Sequence, residues 1–114
     1  MSDKVWIDLD DVLEKLQDSS RYIYVDLGVQ VVYPTEIVAL SRELSPRKLK
    51  RLHLSVMENG WQDICPADLS LLKIPDGRYA VDDGGNHRAY ISNELGIKEI
   101  KASVGTYIEL YKLN

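Results

Sequence analysis

Two hydrophobic periods alternate along the chain, and the places where one gives way to the other mark its elements. Asp8-Leu9-Asp10-Asp11 precedes Val12, Leu13 and Leu16, an acidic start followed by apolar residues at three- and four-residue steps. This predicts a capped amphipathic helix running to about Asp18 and closed by Ser19-Ser20. Tyr22-Ile23-Tyr24-Val25 is aromatic and β-branched, and predicts a strand. Asp26-Leu27-Gly28 reads as a turn, and Val29 to Tyr33 as a second extended stretch. Pro34 interrupts the ladder there, because proline has no N–H to donate. Glu36 to Leu40 continue the chain in extended form.

Ser45-Pro46 then predicts a helix start, with Ser as N-cap and Pro at the first helical position. Leu49, Leu52, Val56 and Met57 follow at helical steps and predict one buried stripe. Asn59-Gly60 ends that helix, because glycine takes the left-handed C′ conformation at little cost. Trp61 to Pro66 is a connection. Leu69 to Ile74 and Arg78 to Val81 read as a hairpin around Pro75-Asp76-Gly77. A helix from about His87 to Leu95, stopped by Gly96, has Ala89, Ile91 and Leu95 for a side that packs on a sheet. Glu99 to Tyr107 alternates as a last strand, with Ile100, Ala102 and Val104 on one face. Helices and strands mixed in one short chain predict an α+β domain with a small mixed sheet.

Composition narrows the picture. A chain of 114 residues is one domain by length and can bury about two-thirds of its unfolded surface. Cys65 is the only cysteine, so it has no partner for an intramolecular disulfide or a thiolate zinc site. It reads as a small apolar residue. Neither a secretory leader nor a membrane-spanning run is evident, and the expectation is a soluble, cytoplasmic protein. The net charge of −4 speaks against nonspecific nucleic-acid binding. Arg47-Lys48-Leu49-Lys50-Arg51 reads as the solvated face of a helix, with a groove for an anion as the alternative.

The chemistry concentrates in Asp82-Asp83-Gly84-Gly85-Asn86-His87-Arg88, between an apolar strand and a helix. Backbone N–H groups of a first helical turn lack internal partners and carry partial positive charge. Gly84 and Gly85 allow a sharp turn and close ligand approach. Asn86 is positioned to cap the helix, Arg88 to offer a forked donor set, and His87 to add a donor that titrates near neutrality. These are the parts of an anion site. A plain turn, with Arg88 paired to Asp82 or Asp83 and His87 packed, explains the same residues equally well.

From about Gly28 to Tyr107 the order of elements resembles the ParB/sulfiredoxin superfamily. Val29-Gln30-Val31-Val32 with Ile37-Val38 is similar to its opening strand, and Ser45 to Trp61, ending Glu58-Asn59-Gly60, to its first helix. Asp76-Gly77-Arg78-Tyr79-Ala80-Val81-Asp82-Asp83-Gly84-Gly85-Asn86-His87-Arg88-Ala89 resembles its signature box. Leu95-Gly96-Ile97 and the strand through Val104 resemble its ending. The resemblance implies a single ParB/sulfiredoxin-like domain, with residues 1–27 an N-terminal extension and 28–107 the family-like core. It further implies that Gly84, Gly85, Asn86, His87 and Arg88 hold the phosphates of ATP or CTP, with Mg²⁺.

Two departures limit the activity. Sulfiredoxin-type sequences place a cysteine nucleophile where this chain has Asn86, and an amide cannot attack phosphorus, so sulfiredoxin chemistry is not expected. Partition proteins carry a helix-turn-helix after this module, and none follows here, so DNA binding by this chain alone is not expected. Nor is a carboxylate set for two metal ions evident. Glu36, Glu43, Asp63, Asp82 and Asp83 are the carboxylates that could serve phosphoryl transfer. Asp83 is the best placed of them, since it could orient Arg88 or His87, and Asp83 and His87 are the weak catalytic candidates. The expected function is nucleotide binding, with hydrolysis or a kinase activity left open. The alternative is a non-catalytic regulatory, adaptor or immunity-type protein that keeps the fold, with a protein partner or a second copy as its ligand.

Overall fold

The computed structural model describes residues 4–14, 22–63 and 68–109. Along these the chain forms β1 (Ile7–Asp8), α1 (Leu9–Glu14), β2 (Tyr22–Val32), a 3₁₀ turn (Pro34–Glu36) and β3 (Ile37–Leu40). It continues with α2 (Pro46–Asn59), β4 (Ser70–Lys73), β5 (Tyr79–Val81), α3 (Asn86–Glu94) and β6 (Ile100–Glu109). The expected extension of the first helix to Asp18, its Ser19-Ser20 stop, and Cys65 with Pro66 lie outside the described residues.

The six strands make one mixed sheet in the order β1-β3-β5-β4-β6-β2. β1, β3 and β5 run parallel to one another, β4 is antiparallel to β5 and parallel to β6, and β2 closes the far edge antiparallel to β6. All four residues of β3 are buried, as expected of a parallel strand covered on both faces. Leu69, Leu71, Val81, Ile100 and Val104, none more than 1 % exposed, fill one face beneath Ala89 of α3. Each such side chain contributes roughly 1.5–3 kcal/mol. The other face carries a smaller cluster of Val12, Ala39 and Ala80. Lys4 ties the N-terminal segment down: its Nζ donates to the carbonyls of Pro34 and Ile37 and, at 3.0 Å, to Asn93 Oδ1. The result is a compact α+β domain with a mixed six-stranded sheet and three helices among the described residues.

Two expectations are corrected. Asp26-Leu27-Gly28 is not a turn between strands but a β-bulge within one long strand. The register passes from Asp26↔Gly105 to Gly28↔Val104 and leaves Leu27 without a partner. Gly28 takes φ 77°, and its N–H donates to Asp26 Oδ1 at 2.8 Å. A positive-φ glycine serves a bulge as well as a turn, which is why local sequence could not separate them. The second correction concerns α2. Its Ser45 cap and Gly60 stop are present, but no residue of the helix is fully buried and Met57 is 67 % exposed. The helix lies on the domain rather than within it.

Candidate functional site

β3 and β5 are adjacent and parallel, so their carboxyl ends point the same way. β3 runs into Ser41–Ser45 and then α2, and β5 into Asp82–Gly85 and then α3. The two strand-to-helix loops leave the sheet side by side. In open α/β arrangements the crevice outside such carboxyl ends is where ligands bind.

Within the second loop the two glycines have different tasks. Gly85 is the N-cap of α3 at φ 103°. A Cβ there would meet Leu69 Cα at 2.8 Å and the Asp68 carbonyl at 2.9 Å. Packing against the Asp68–Leu69 segment that leads into β4 is therefore enough to require glycine at this position. Gly84 has ordinary φ, and a Cβ on it would touch only the Asp68 carbonyl at 3.5 Å. Its own carbonyl accepts from Ser70 N–H at 3.1 Å, which holds the loop on the sheet.

Asn86 does not cap the helix. It is the first helical residue, 5 % exposed, and its side chain reaches back to the neighbouring loop. Oδ1 accepts from Ser41 N–H at 2.8 Å, and Nδ2 donates to Ser41 Oγ at 3.1 Å. His87 is likewise tied to the neighbouring loop, through its Nε2. Its Nε2 accepts from Ser45 N–H at 2.9 Å, which requires a neutral ring protonated on Nδ1. Burial, with Lys48 nearby, pushes its pKa below the ordinary 6.5 and keeps that acceptor available. Asn86 and His87 thus clamp the two loops together. Asp83 pairs with Arg42 at 3.3 Å and not with Arg88 or His87.

One consequence is that α3 begins without a side-chain cap among the described residues. The first intrahelical bond is Ala89 N–H to Gly85 O. The amides of Asn86, His87 and Arg88 precede it and keep the partial positive charge of a helix start. Arg88 stands beside them, its Nη2 donating to the Gln62 carbonyl at 2.8 Å and its guanidinium lying 4.3 Å from the Trp61 ring centre. Trp61 is itself fixed, since its Nε1–H donates to Asp63 Oδ1 at 2.8 Å. That oxygen also accepts from Lys101 N–H, so Asp63 is an anchor for the connection.

Between α2, Trp61 and Arg88 lies a cleft of about 160 Å³, lined among others by Leu52, Val56, Gln62 and Asp68. Trp61 and Asp68, which sequence reasoning missed, face it with Arg88. No spacing rule pointed to them, because they come from the connection and the segment just before β4. Asp82 has its pKa raised, chiefly by burial and then by Asp83. Glu36 lies in the 3₁₀ turn and Glu43 in the exposed first loop, neither within hydrogen bonds that build the turn. Among the described residues no three His, Cys, Asp or Glu side chains are grouped to hold a metal. Magnesium needs no such cage, because it keeps several waters and is held by one or two carboxylates plus phosphates. Of the carboxylates beside the turn, Asp68 lines the cleft, whereas Asp83 is engaged by Arg42 and Asp82 lies near Tyr24 of β2.

Comparison with known protein families finds no matching family model, and comparison with curated protein sequences finds no significant match.

Proposed function

We propose that the domain binds a nucleotide, ATP or CTP with Mg²⁺, with its phosphates on the amides that open α3. The observation that carries this reading is the uncapped start of α3 at the carboxyl ends of two adjacent parallel strands, with Arg88 alongside. A helix start with free amides attracts phosphate without further devices. Arg88 keeps donors beyond the one given to Gln62, and a guanidinium stacked on an indole is pre-organised to donate to phosphate oxygens. The cleft beside Trp61, lined by Leu52 and Val56 together with Ser55, Gln62 and Asp68, would take the nucleoside. The resemblance of Asp76 to Ala89 to the ParB/sulfiredoxin signature box agrees with this placement, and the proposed fold is of that type.

In this reading Asn86 and His87 are framework residues that hold the two loops in register. They do not carry the chemistry, and no base or nucleophile is assigned. Mg²⁺, when bound, would neutralise phosphate charge, with Asp68, which lines the cleft, as its protein ligand. Calorimetric titration with ATP, CTP and GTP in the presence of Mg²⁺ tests the proposal. Wild type is expected to bind at least one nucleotide, and Arg88→Ala to bind it at least tenfold more weakly. No binding at millimolar nucleotide would refute nucleotide recognition, and equal binding to both proteins would refute the phosphate placement.

A further inference from the structure

The sheet has two unequal edges. β1 ends it with two residues and β2 with eleven, and β2 pairs on one side with β6 while no described strand pairs with its other side. Natural sheets usually blunt such an edge with charges, proline, a bulge or brevity. Here the bulge at Asp26–Gly28 is the one such device within the strand, and Asp26 is its one charged residue. Beyond the bulge, Gly28–Val32 is uncharged and straight in register with β6.

This ribbon also holds most of the exposed apolar surface. Of the eleven large hydrophobic residues exposed among the described ones, seven lie on or beside it: Ile23, Tyr24, Leu27, Val29, Val31, Tyr33 and Tyr107. Val29 and Val31 are each 57 % exposed, on the face opposite the core side chains Ala102 and Ile100. By their register with Tyr107, Ser103 and Lys101 of β6, Tyr24, Val29 and Val31 share one face of the ribbon and Ile23 lies on the other. A second β2 added at the edge therefore sets Val29 beside Val31 across the seam and extends that apolar face.

We infer that β2 pairs with β2 of a second copy, antiparallel about a two-fold axis near Gln30, joining two sheets into one. The unequal edges select this occupant. A two-residue β1 offers too little ladder for head-to-tail addition, whereas an edge pairing with its own copy forms a closed, isologous dimer. In that register Gly28 faces Val32 of the other chain and Val29 faces Val31. Each Asp26 falls beyond the paired stretch, opposite Pro34, so like charges do not meet. Pro34, with no N–H, ends the ladder at the same point.

Sedimentation velocity of the full chain from about 5 to 200 µM tests this, the upper end being where a dimer with a dissociation constant of about 100 µM is mostly assembled. Wild type is expected to shift toward twice its 13.0 kDa mass as concentration rises. Val29→Lys/Val31→Lys, which alters only exposed side chains, is expected to remain monomeric with an unchanged circular dichroism spectrum. Monomeric wild type throughout, or a variant that associates as wild type does, overturns the inference. Should the variant fail to fold, hydrogen exchange of wild type at the two concentration extremes decides. Slower exchange of residues 28–32 at the higher concentration supports the pairing, and unchanged exchange overturns it.

Discussion

Four residues at the turn look alike as polar or small punctuation and do different physical work. Gly85 meets both a left-handed φ and a crowded neighbour, so Gly85→Ala should cost about 2–4 kcal/mol, from the left-handed penalty plus overpacking against Leu69. Gly84→Ala should cost less than about 1 kcal/mol, since its Cβ makes one ordinary contact. Thermal unfolding of the two variants checks the contrast, and similar losses would contradict it. His87 gives a pH dependence with a definite sign. Its folded pKa lies below the unfolded 6.5, so its contribution is whole above that value and is lost as pH falls through the window beneath it. His87→Gln, which keeps an acceptor and does not titrate, should flatten the fall in melting temperature between about pH 7 and pH 5. The sequence made the inventory of this turn legible. It did not show direction: Asn86 and His87 are donors or acceptors according to what faces them, and Ser41 and Ser45 face them only after β3 and β5 have paired.

At the scale of elements, most boundaries could be read because caps and period changes act locally. Ser45 accepts from Lys48 N–H at 3.4 Å and Pro46 opens the helix, as its sequence position implies. Ser45→Ala should therefore cost about 0.5–2 kcal/mol, measured by denaturant unfolding. What could not be read was depth. The stripe of Leu49, Leu52, Val56 and Met57 is real as a period, yet the helix only rests on the domain, because periodicity gives the side that turns inward and not how far the neighbours reach around it. The bulge in β2 escaped for a related reason. Gly28 satisfies a hairpin turn and a bulge equally, and only the pairing of Val29–Val32 with Lys101, Ser103 and their neighbours decides between them. Gly28→Ala should cost about 1 kcal/mol through φ alone, as nothing lies within 4 Å of the added methyl. A loss several times larger would mean that the bulge is more tightly packed than its surroundings indicate.

For the molecule as a whole, the α+β class followed from the mixture of periods, while strand order did not. Nothing local brings β3 beside β5 or sends β2 to the far edge, yet that order sets two loops side by side and leaves no described strand paired with the outer side of β2. Among the described residues no helix is long and apolar enough to cross a membrane. The central claim is that the start of α3 receives phosphate, and an amide-resolved NMR titration of the ¹⁵N-labelled chain with ATP or CTP and Mg²⁺ reads it directly. The account predicts that the amides of Gly84 to Arg88 move first and saturate together, with the Trp61 indole N–H following. Saturation that leaves those five amides in place, with shifts confined to another part of the sheet, would contradict it.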